Sequence, residues 1–556
     1  MEPDESNYEL DALLEDDGVS PRGSTGERTS SEYDMVEGGH SQLRERKPGR
    51  KAAGDDRLST FYQPVESYEG RHRWDPKFQW TPAQERKVVR KIDRRICIWI
   101  CVMFFALQVD RGNIYQALSD DMLDNLNITT NEYNYGQSIF FLAFILAELP
   151  SQLVSKRLGP DTWLPMQMVA WSVIASLQSL LSGKWSFWIT RALIGICEGG
   201  FIPTVVLYLS YFYNSTELPI RLSYFWLTKE LSDMISALIA YGILHMRGVL
   251  GIAGWRWLFA LEGILTGSIG IISYVYLPPS PTQTASKFRG ERGWFSVEEE
   301  KIMVNRILRD DPSKGDMHNR EALTPSMIWH CLTDYHLWPI YLIGLSWEMP
   351  VEPIAQYMTL TLRGAGFDTF TVNLLTIPAY AFWMMNLLIV TRVSEWINER
   401  FLLSTISQFW ILPILLALEL LPVPRNHWTV WFLTVLAFAQ PYVHAMLVGI
   451  ASRNSGSVRL RAVSAALYNM SIQASNIIGS NIYREDDAPY YFRGNKILMG
   501  VALYNIFLFV GTKWFYVVQN KRRDRIWLNM SEEARRQYLA NTRDQGNKRL
   551  DFRFAH

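Results

Sequence analysis

The sequence predicts an all-α membrane protein, with twelve transmembrane helices arranged as two pseudo-symmetric six-helix bundles. Three observations predict it. The apolar residues of this 556-residue chain come in long blocks instead of the dispersed pattern of a soluble core. About twelve of these blocks have the length a helix needs to cross a bilayer, roughly 20 residues. A charged, polar stretch at 278–334 divides them six and six. The formal net charge of zero conceals the same segregation, since charge is gathered in tails and loops. There is no basic block with interleaved aromatics of the kind that binds nucleic acid. The four cysteines, Cys97, Cys101, Cys197 and Cys331, lack CxxC spacing, so neither a disulfide framework nor a zinc site is indicated, and no cofactor is expected. Trp163, Trp185, Trp188, Trp338, Trp428 and Trp514 stand near block ends, where their rings suit a membrane interface.

In chain order, residues 1–80 are rich in Asp, Glu, Ser, Gly and Arg and read as a disordered cytosolic tail. The acidic start does not resemble a cleavable signal peptide. Within the tail, Glu9-Leu10-Asp11-Ala12-Leu13-Leu14 resembles an acidic dileucine signal, the kind that sorting adaptors read. Residues 81–95, TPAQERKVVRKIDRR, predict a basic amphipathic helix lying on anionic headgroups. The first bundle covers 96–277, with spans at 96–118, 136–155, 163–182, 186–213, 221–246 and 254–277. The cytosolic linker at 278–334 contains an amphipathic helix, FSVEEEKIMVNRILRDD. The second bundle covers 335–518, with spans at 335–360, 371–391, 402–421, 428–451, 462–483 and 496–518. Residues 519–556 form a cytosolic C-terminal tail.

Loop charge sets the orientation, because Lys and Arg are retained on the cytosolic side. With both termini inside, the inner loops hold Lys156, Arg157, Arg221, Arg392, Arg400, Arg453, Arg459 and Arg461. The first outer loop holds Asp120, Asp121, Asp124 and Glu132, and Asn127-Ile128-Thr129 there is a glycosylation sequon with Asn127 as acceptor. The last outer loop, with Arg484, Arg493 and Lys496, runs against the trend.

Charges inside spans carry the chemistry, since such residues normally face a bundle interior or an aqueous cavity. Span 4 carries Arg191 and Glu198, seven residues apart. That spacing puts them on roughly one helix face, about 10 Å apart along the axis. They are either functional or a structural pair locking two helices. Glu198-Gly199-Gly200 lets a neighbouring helix come close. Span 1 ends in Asp110-Arg111-Gly112-Asn113, where Arg111 offers the planar fork that holds a carboxylate or sulfonate. Glu148 of span 2 reads as a gate or packing residue, and Lys229 and Asp233 of span 5 as a pair one turn apart. Span 7 holds Glu348, Pro350, Glu352, Pro353 and Gln356, and its prolines should bend or break the helix. Span 11 carries Asn469, Gln473 and Asn476, which either line a polar path or bond adjacent helices. His444 of span 10 reads as a satisfied bundle histidine.

Several segments together resemble a known family. They are KIDRR at 91–95, DRGNI at 110–114, ELPSQLVSKRLGP at 148–160, and the stretch from Arg191 through Glu198-Gly199-Gly200 to Pro203. To these are added GWRWLFALEGIL at 254–265, LPPSP at 277–281, VSAALYNM at 463–470 and NIYREDDAPYYFRGN at 481–495. The chain resembles the major facilitator superfamily over residues 90–520, and within it the anion:cation symporters of the fungal allantoate permease group. The resemblance implies the major facilitator fold and a monomeric secondary transporter moving a small organic anion with a proton. Related vesicular organic-anion carriers show a similar arginine and glutamate in span 4. By that similarity Arg191 is the anion ligand and Glu198 the proton-coupling acid, with Arg111 a second anion candidate. Asn113, Gln356, Asn469 and Gln473 complete the expected substrate site, and Asp110 joins Glu198 in proton coupling. The superfamily's aspartate after span 2 is replaced by Lys156, while Glu395 takes the equivalent place in the second half. Glu148, Arg157, Glu395 and Arg400 are the gating candidates. The resemblance leaves the substrate open among carboxylates such as ureido acids, anionic vitamins, small peptides, and sulfonates or other sulfur anions. It also leaves a nutrient sensor or an efflux carrier of the same fold as alternatives. Nothing in the sequence suggests an enzyme, since no Ser-His or His-Asp arrangement or phosphate loop is present. The expected location is the plasma membrane, with a vacuolar or other endomembrane as alternative.

Overall fold

The computed structural model describes residues 68–214, 217–310, 331–397, 399–455, 458–542 and 546–556, together with residues 64 and 329. The dileucine-like motif at 9–14 lies outside the described residues. Thr81 starts the helical part with a capping box, its hydroxyl accepting from the Gln84 N–H while the Gln84 side chain accepts from the Thr81 N–H. Helix Pro82–Ile92 then runs through a π-helical turn at Asp93–Cys97 directly into span 1, Ile98–Ala117. Its apolar face buries Val88, Val89 and Ile92.

Uninterrupted helices form span 2 (Thr130–Leu158), span 3 (Pro160–Leu177), span 5 (Leu218–Leu244) and span 6 (Gly254–Tyr276). In the second half they form span 8 (Thr369–Ile397), span 11 (Val458–Gly479) and span 12 (Phe492–Asn529). Span 9 is Phe401–Ser404 followed by Ile406–Leu420. The other three are broken: span 4 into Lys184–Glu198 and Phe201–Leu209, span 7 into Trp338–Ser346 and Glu352–Gly364, and span 10 into His427–Phe438 and His444–Asn454. Among the described residues the elements are helical, apart from one isolated bridge between Ser286 and Gly290. Spans 2, 4, 6, 8, 9 and 12 are each long and apolar enough to cross a membrane on composition alone. The remaining spans are short, broken or hold internal charges, which are tolerable only if neighbouring helices or water satisfy them.

Packing reveals the repeat that direct sequence identity leaves faint. In the first half span 1 packs on 5, 3 on 6 and 2 on 4; in the second half 7 packs on 11, 9 on 12 and 8 on 10. Each pair recurs six spans later, and the contacts between halves, 2 with 11 and 5 with 8, are related by the same shift. The prediction of two pseudo-symmetric six-helix bundles is therefore what the structure contains.

Polar bonds between the halves gather at the end remote from the chain termini, the distal end. There Thr359 Oγ1 donates to the Tyr115 carbonyl at 2.6 Å, Arg363 Nη1 to the Ser119 carbonyl at 2.8 Å and Asn481 Nδ2 to Ser138 Oγ at 2.7 Å. Asn134 joins both sides, donating to the Tyr483 carbonyl at 2.8 Å and accepting from the Tyr357 hydroxyl. Asp121 is ion-paired both to Arg247 of its own half, at 2.7 Å, and to Arg363 of the other. At the opposite, proximal end each half carries its own appendage. Linker helix Val297–Asp310 docks on the first half through Arg306 to Glu217 at 2.9 Å and Lys91 to Glu299 at 2.7 Å. The C-terminal segment docks on the second, where Asn520 exchanges two hydrogen bonds with the Phe554 backbone and Phe554 stacks on Tyr516.

Candidate functional site

Span 4 is drawn tightly onto span 2 by glycine. A Cβ at Gly195 would stand 2.4 Å from the Phe140 carbonyl oxygen, closer than any side chain allows. At the break, Gly200 has φ +80, a left-handed conformation that suits glycine, and a Cβ there would stand 2.6 Å from Ser151 Cβ. The carbonyls freed by this break are claimed from span 3, where Gln167 Nε2 donates to Cys197 O at 3.0 Å and Gly199 O at 2.9 Å, while Gly200 O accepts from the Thr204 N–H at 3.2 Å and from Gln152 Nε2 of span 2 at 3.0 Å. The backbone can thus turn at Glu198 without leaving polar groups bare.

Glu198 is 1% exposed, and its partner comes from span 1: Arg111 Nε donates to Glu198 Oε2 at 2.5 Å. The Arg111 side chain remains 22% exposed and lies 5.1 Å from the Phe144 ring centroid. Arg191 is buried, donating from Nη2 to the neutral Gln137 Oε1 at 2.6 Å and resting 4.3 Å over the Phe140 ring. The two charges of span 4 therefore do not bond each other. Arg111 is neutralised by an acid, and Arg191 is held by an amide and a π-face.

Behind this group Asp110 is buried, with Trp171 Nε1 donating to its Oδ2 at 3.2 Å and Thr266 beside it. Asn113 is fully buried without a hydrogen bond of normal geometry at either amide atom. Next to both stands Glu262 of span 6, 1% exposed, its carboxylate oxygens equally unbonded. Glu262 is not among the residues the sequence reading selected for the site. Its signal was there, a lone acid within an apolar span and inside the family segment at 254–265.

In the second half Gln356 is 1% exposed and reaches the Tyr133 hydroxyl of the first half, whereas Asn469 and Gln473 are half-buried on span 11. The break in span 7 falls between Ser346 and Glu352, around Pro350. Its carbonyls are also claimed: Gln408 Nε2 of span 9 donates to Trp347 O at 2.9 Å, and Asn505 Nδ2 of span 12 to Ser346 O at 2.8 Å. Glu348 and Glu352 flank the break, both half-buried and both within charge-interaction range of Lys229. Lys229 bonds Asp233 at 3.4 Å. His444 opens the second segment of span 10, buried in the bundle with its Nδ1 unbonded.

Of the gating candidates, Glu148 is buried with Oε2 unbonded and Arg157 is exposed at the end of span 2. The Glu395 side chain lies outside the described residues. Arg400 stands at the start of span 9, its N–H donating to Glu399 Oε1 at 3.2 Å, and Glu399 itself pairs with Lys513 of span 12. Sequence reasoning also passed over the distal residues Asn134, Tyr357 and Arg363, whose partners lie in the other half. Asn127 is exposed, in a left-handed turn just before span 2.

A family model described as the Major Facilitator Superfamily matches residues 100–480. An uncharacterized transporter of Saccharomyces cerevisiae is 44% identical over 490 residues, covering 88% of this chain and 90% of that protein. Among solved structures, a bacterial homologue of the human lysosomal transporter Spinster, inward-facing and unoccupied, aligns with a TM-score of 0.56 at 12% identity, covering 78% of this chain and 98% of that one. The nucleoside transporter NupG aligns with a TM-score of 0.55 at 8% identity, covering 75% of this chain and 98% of that one. At such identities the two structures speak to the fold alone.

Proposed function

The chain belongs to the major facilitator superfamily of membrane transporters, and from that premise we propose that it imports a small organic anion by proton symport through alternating access. The anion is a carboxylate, a sulfonate or an anionic vitamin, as in the anion:cation symporters whose segments the chain resembles. The observation that carries this reading is the Arg111–Glu198 pair at 2.5 Å, with Arg191 on the same span as Glu198. While Glu198 is ionised, it occupies the Arg111 guanidinium, which then has no free fork for an anion. A proton on Glu198 releases the Arg111 guanidinium, whose fork can take a carboxylate or sulfonate in two parallel bonds. Proton and anion then enter together, so the net charge of the site does not change on loading. Arg191 adds a second positive charge, Asn113, Gln356, Asn469 and Gln473 are the polar substrate contacts, and Asp110 is the second proton-coupling acid.

Loop charge puts the distal end outside and both termini in the cytosol. The bonded distal end is then the closed outer gate. Glu148, Arg157, Glu395 and Arg400 serve the inner gate, Asn127 is an outer glycosylation acceptor, and the unit is a monomer in the plasma membrane. The test is uptake of radiolabelled carboxylates and sulfonates at pH 5 and pH 7 by a transporter-deficient host. Uptake of one class, faster at pH 5, is expected. Arg111→Gln and Arg191→Ala should each lower it more than about tenfold, roughly the loss of one charge-assisted bond. Glu198→Gln should abolish the difference between the two pH values. Retention of pH-dependent uptake by Glu198→Gln and of full uptake by the arginine variants would remove these assignments.

A further inference from the structure

Spans 2 and 4 run side by side from the distal end, where Lys184 pairs with Glu132 at 3.0 Å, and they meet in two rungs one turn apart. In the first rung the Tyr133 ring of span 2 stacks 5.9 Å from the Phe187 ring of span 4. A Cβ at Gly136 would stand 2.2 Å from the same Phe187 ring, so the close approach relies on that glycine. In the second rung, four residues further along each helix, Gln137 Oε1 accepts from Arg191 Nη2 at 2.6 Å. The guanidinium makes no other hydrogen bond among the described residues: its Nε is buried and unbonded, and the Phe140 ring covers it at 4.3 Å. Both ends of the Gln137 carboxamide are committed. Nε2 donates to the Tyr133 hydroxyl at 2.7 Å, which sets the amide with its oxygen toward Arg191. Tyr133 in turn packs edge-on against Tyr357 of the second half, ring centroids 6.0 Å apart. Its chain neighbour Asn134 accepts from the Tyr357 hydroxyl and donates to the Tyr483 carbonyl. A continuous line of contacts thus runs from Arg191 through Gln137 and Tyr133 to the bonds that shut the distal end.

Span 4 starts at Lys184 at the distal end, so Arg191 stands about 10 Å in, between the closed end and the Arg111–Glu198 pair. A buried guanidinium without an acceptor is costly, and its shorter way to water is through the distal end. We propose that Gln137 is a positioning residue that stands in for the substrate's acid group: its carboxamide oxygen satisfies Arg191 while the site is empty, and so lets the distal end close over an unloaded carrier. This rests on Arg191 as the anion ligand and adds the residue that replaces the anion once it has left. Either acceptor, anion or amide, permits closure. With neither, the guanidinium draws water in through the distal end. A glutamine suits this task where a glutamate does not, because its neutral oxygen holds the arginine without a counter-charge. An arriving carboxylate or sulfonate, which can bind a guanidinium in two parallel charge-assisted bonds, displaces it. The two arginines are therefore held by different means, Arg111 by an acid that a proton removes and Arg191 by an amide that the anion itself removes.

The test follows closure in place of uptake. Thr359, 3% exposed and bonded across the halves to the Tyr115 carbonyl, is changed to cysteine in a full-length chain lacking Cys97, Cys101, Cys197 and Cys331. Its alkylation by a membrane-impermeant maleimide is timed in lipid nanodiscs. Slow labelling is expected of the chain with Gln137 in place. Gln137→Leu should speed it about tenfold, the ratio that one buried donor left unmet would produce. Adding Arg191→Leu to Gln137→Leu should return the slow rate, since no guanidinium is left to satisfy, whereas a purely structural role for Gln137 predicts that the double change labels at least as fast. Gln137→Glu, which keeps an acceptor, should label slowly. Acetate or methanesulfonate should slow the Gln137→Leu chain and leave the double variant unchanged. An unaltered rate in Gln137→Leu, or a fast rate in the double variant, overturns the proposal and leaves the anion reading to be judged by uptake. A slow double variant together with a Gln137→Leu rate that neither anion alters overturns the stand-in role and the anion reading of Arg191 with it.

Discussion

At Gly195 the permitted side chain is set by a single distance, 2.4 Å from a prospective Cβ to the Phe140 carbonyl oxygen. Gly195→Ala must push span 4 away from span 2, and an expected loss of about 1–3 kcal/mol follows from overpacking. A fall in the apparent melting temperature of purified protein checks it. The same shift would move Glu198 relative to Arg111, so anion uptake should fall by more than the lost stability alone explains. Arg191 and Glu198 were legible in the sequence because charges are conspicuous in an apolar span. Their partners were not. Arg111 and Glu198 are 87 positions apart, and only tertiary packing decides that Glu198 takes Arg111 while Arg191 takes Gln137. Glu262 was overlooked for the same reason, since its meaning depends on Asp110 and Asn113 standing beside it.

At the scale of the element, the three broken spans share one solution. Helix-breaking residues free carbonyls inside the membrane, where each unsatisfied group is costly, and an amide side chain from a neighbouring helix takes them up. In span 10 that role falls to Asn386 Nδ2, which donates to Ala439 O at 2.5 Å. Replacing Gln408 by Leu should leave the Trp347 carbonyl bare and destabilise the protein by about 1–3 kcal/mol. Gln167→Leu should cost more, because two carbonyls lose a donor. Thermal melts of both variants in one detergent give the comparison, and equal melting temperatures for wild type and variants would refute the capping role. The breaks themselves were partly legible: Pro350 with Pro353 and Gly199 with Gly200 are overt signals. The caps were not, for a glutamine within an apolar span can equally bond its own helix or a neighbour.

For the whole molecule, the bonds at the distal end decide which side of the path is shut. If the halves rock about a central site, those bonds must break in every cycle. Ser138→Cys with Asn481→Cys, in a background lacking the four native cysteines, places two thiols where Ser138 Oγ and Asn481 Nδ2 now meet at 2.7 Å. Linking them with a short thiol-reactive bridge should stop uptake, and reduction should restore it. Uptake undiminished by complete linkage would exclude opening at this end. The six-plus-six division was legible because hydropathy and the charged linker are local properties, whereas the closed end depends on contacts between residues hundreds of positions apart. The π-helical turn at Asp93–Cys97 joins the surface helix to span 1 without a gap. Because Pro82 through Ala117 is one unbroken rod, about 54 Å long at 1.5 Å per residue, any tilt of the segment bearing Arg111 must swing its far end. That end carries the exposed Lys87, so a dye attached there would act as a pointer on a dial, reporting occupancy of the deep site from the surface.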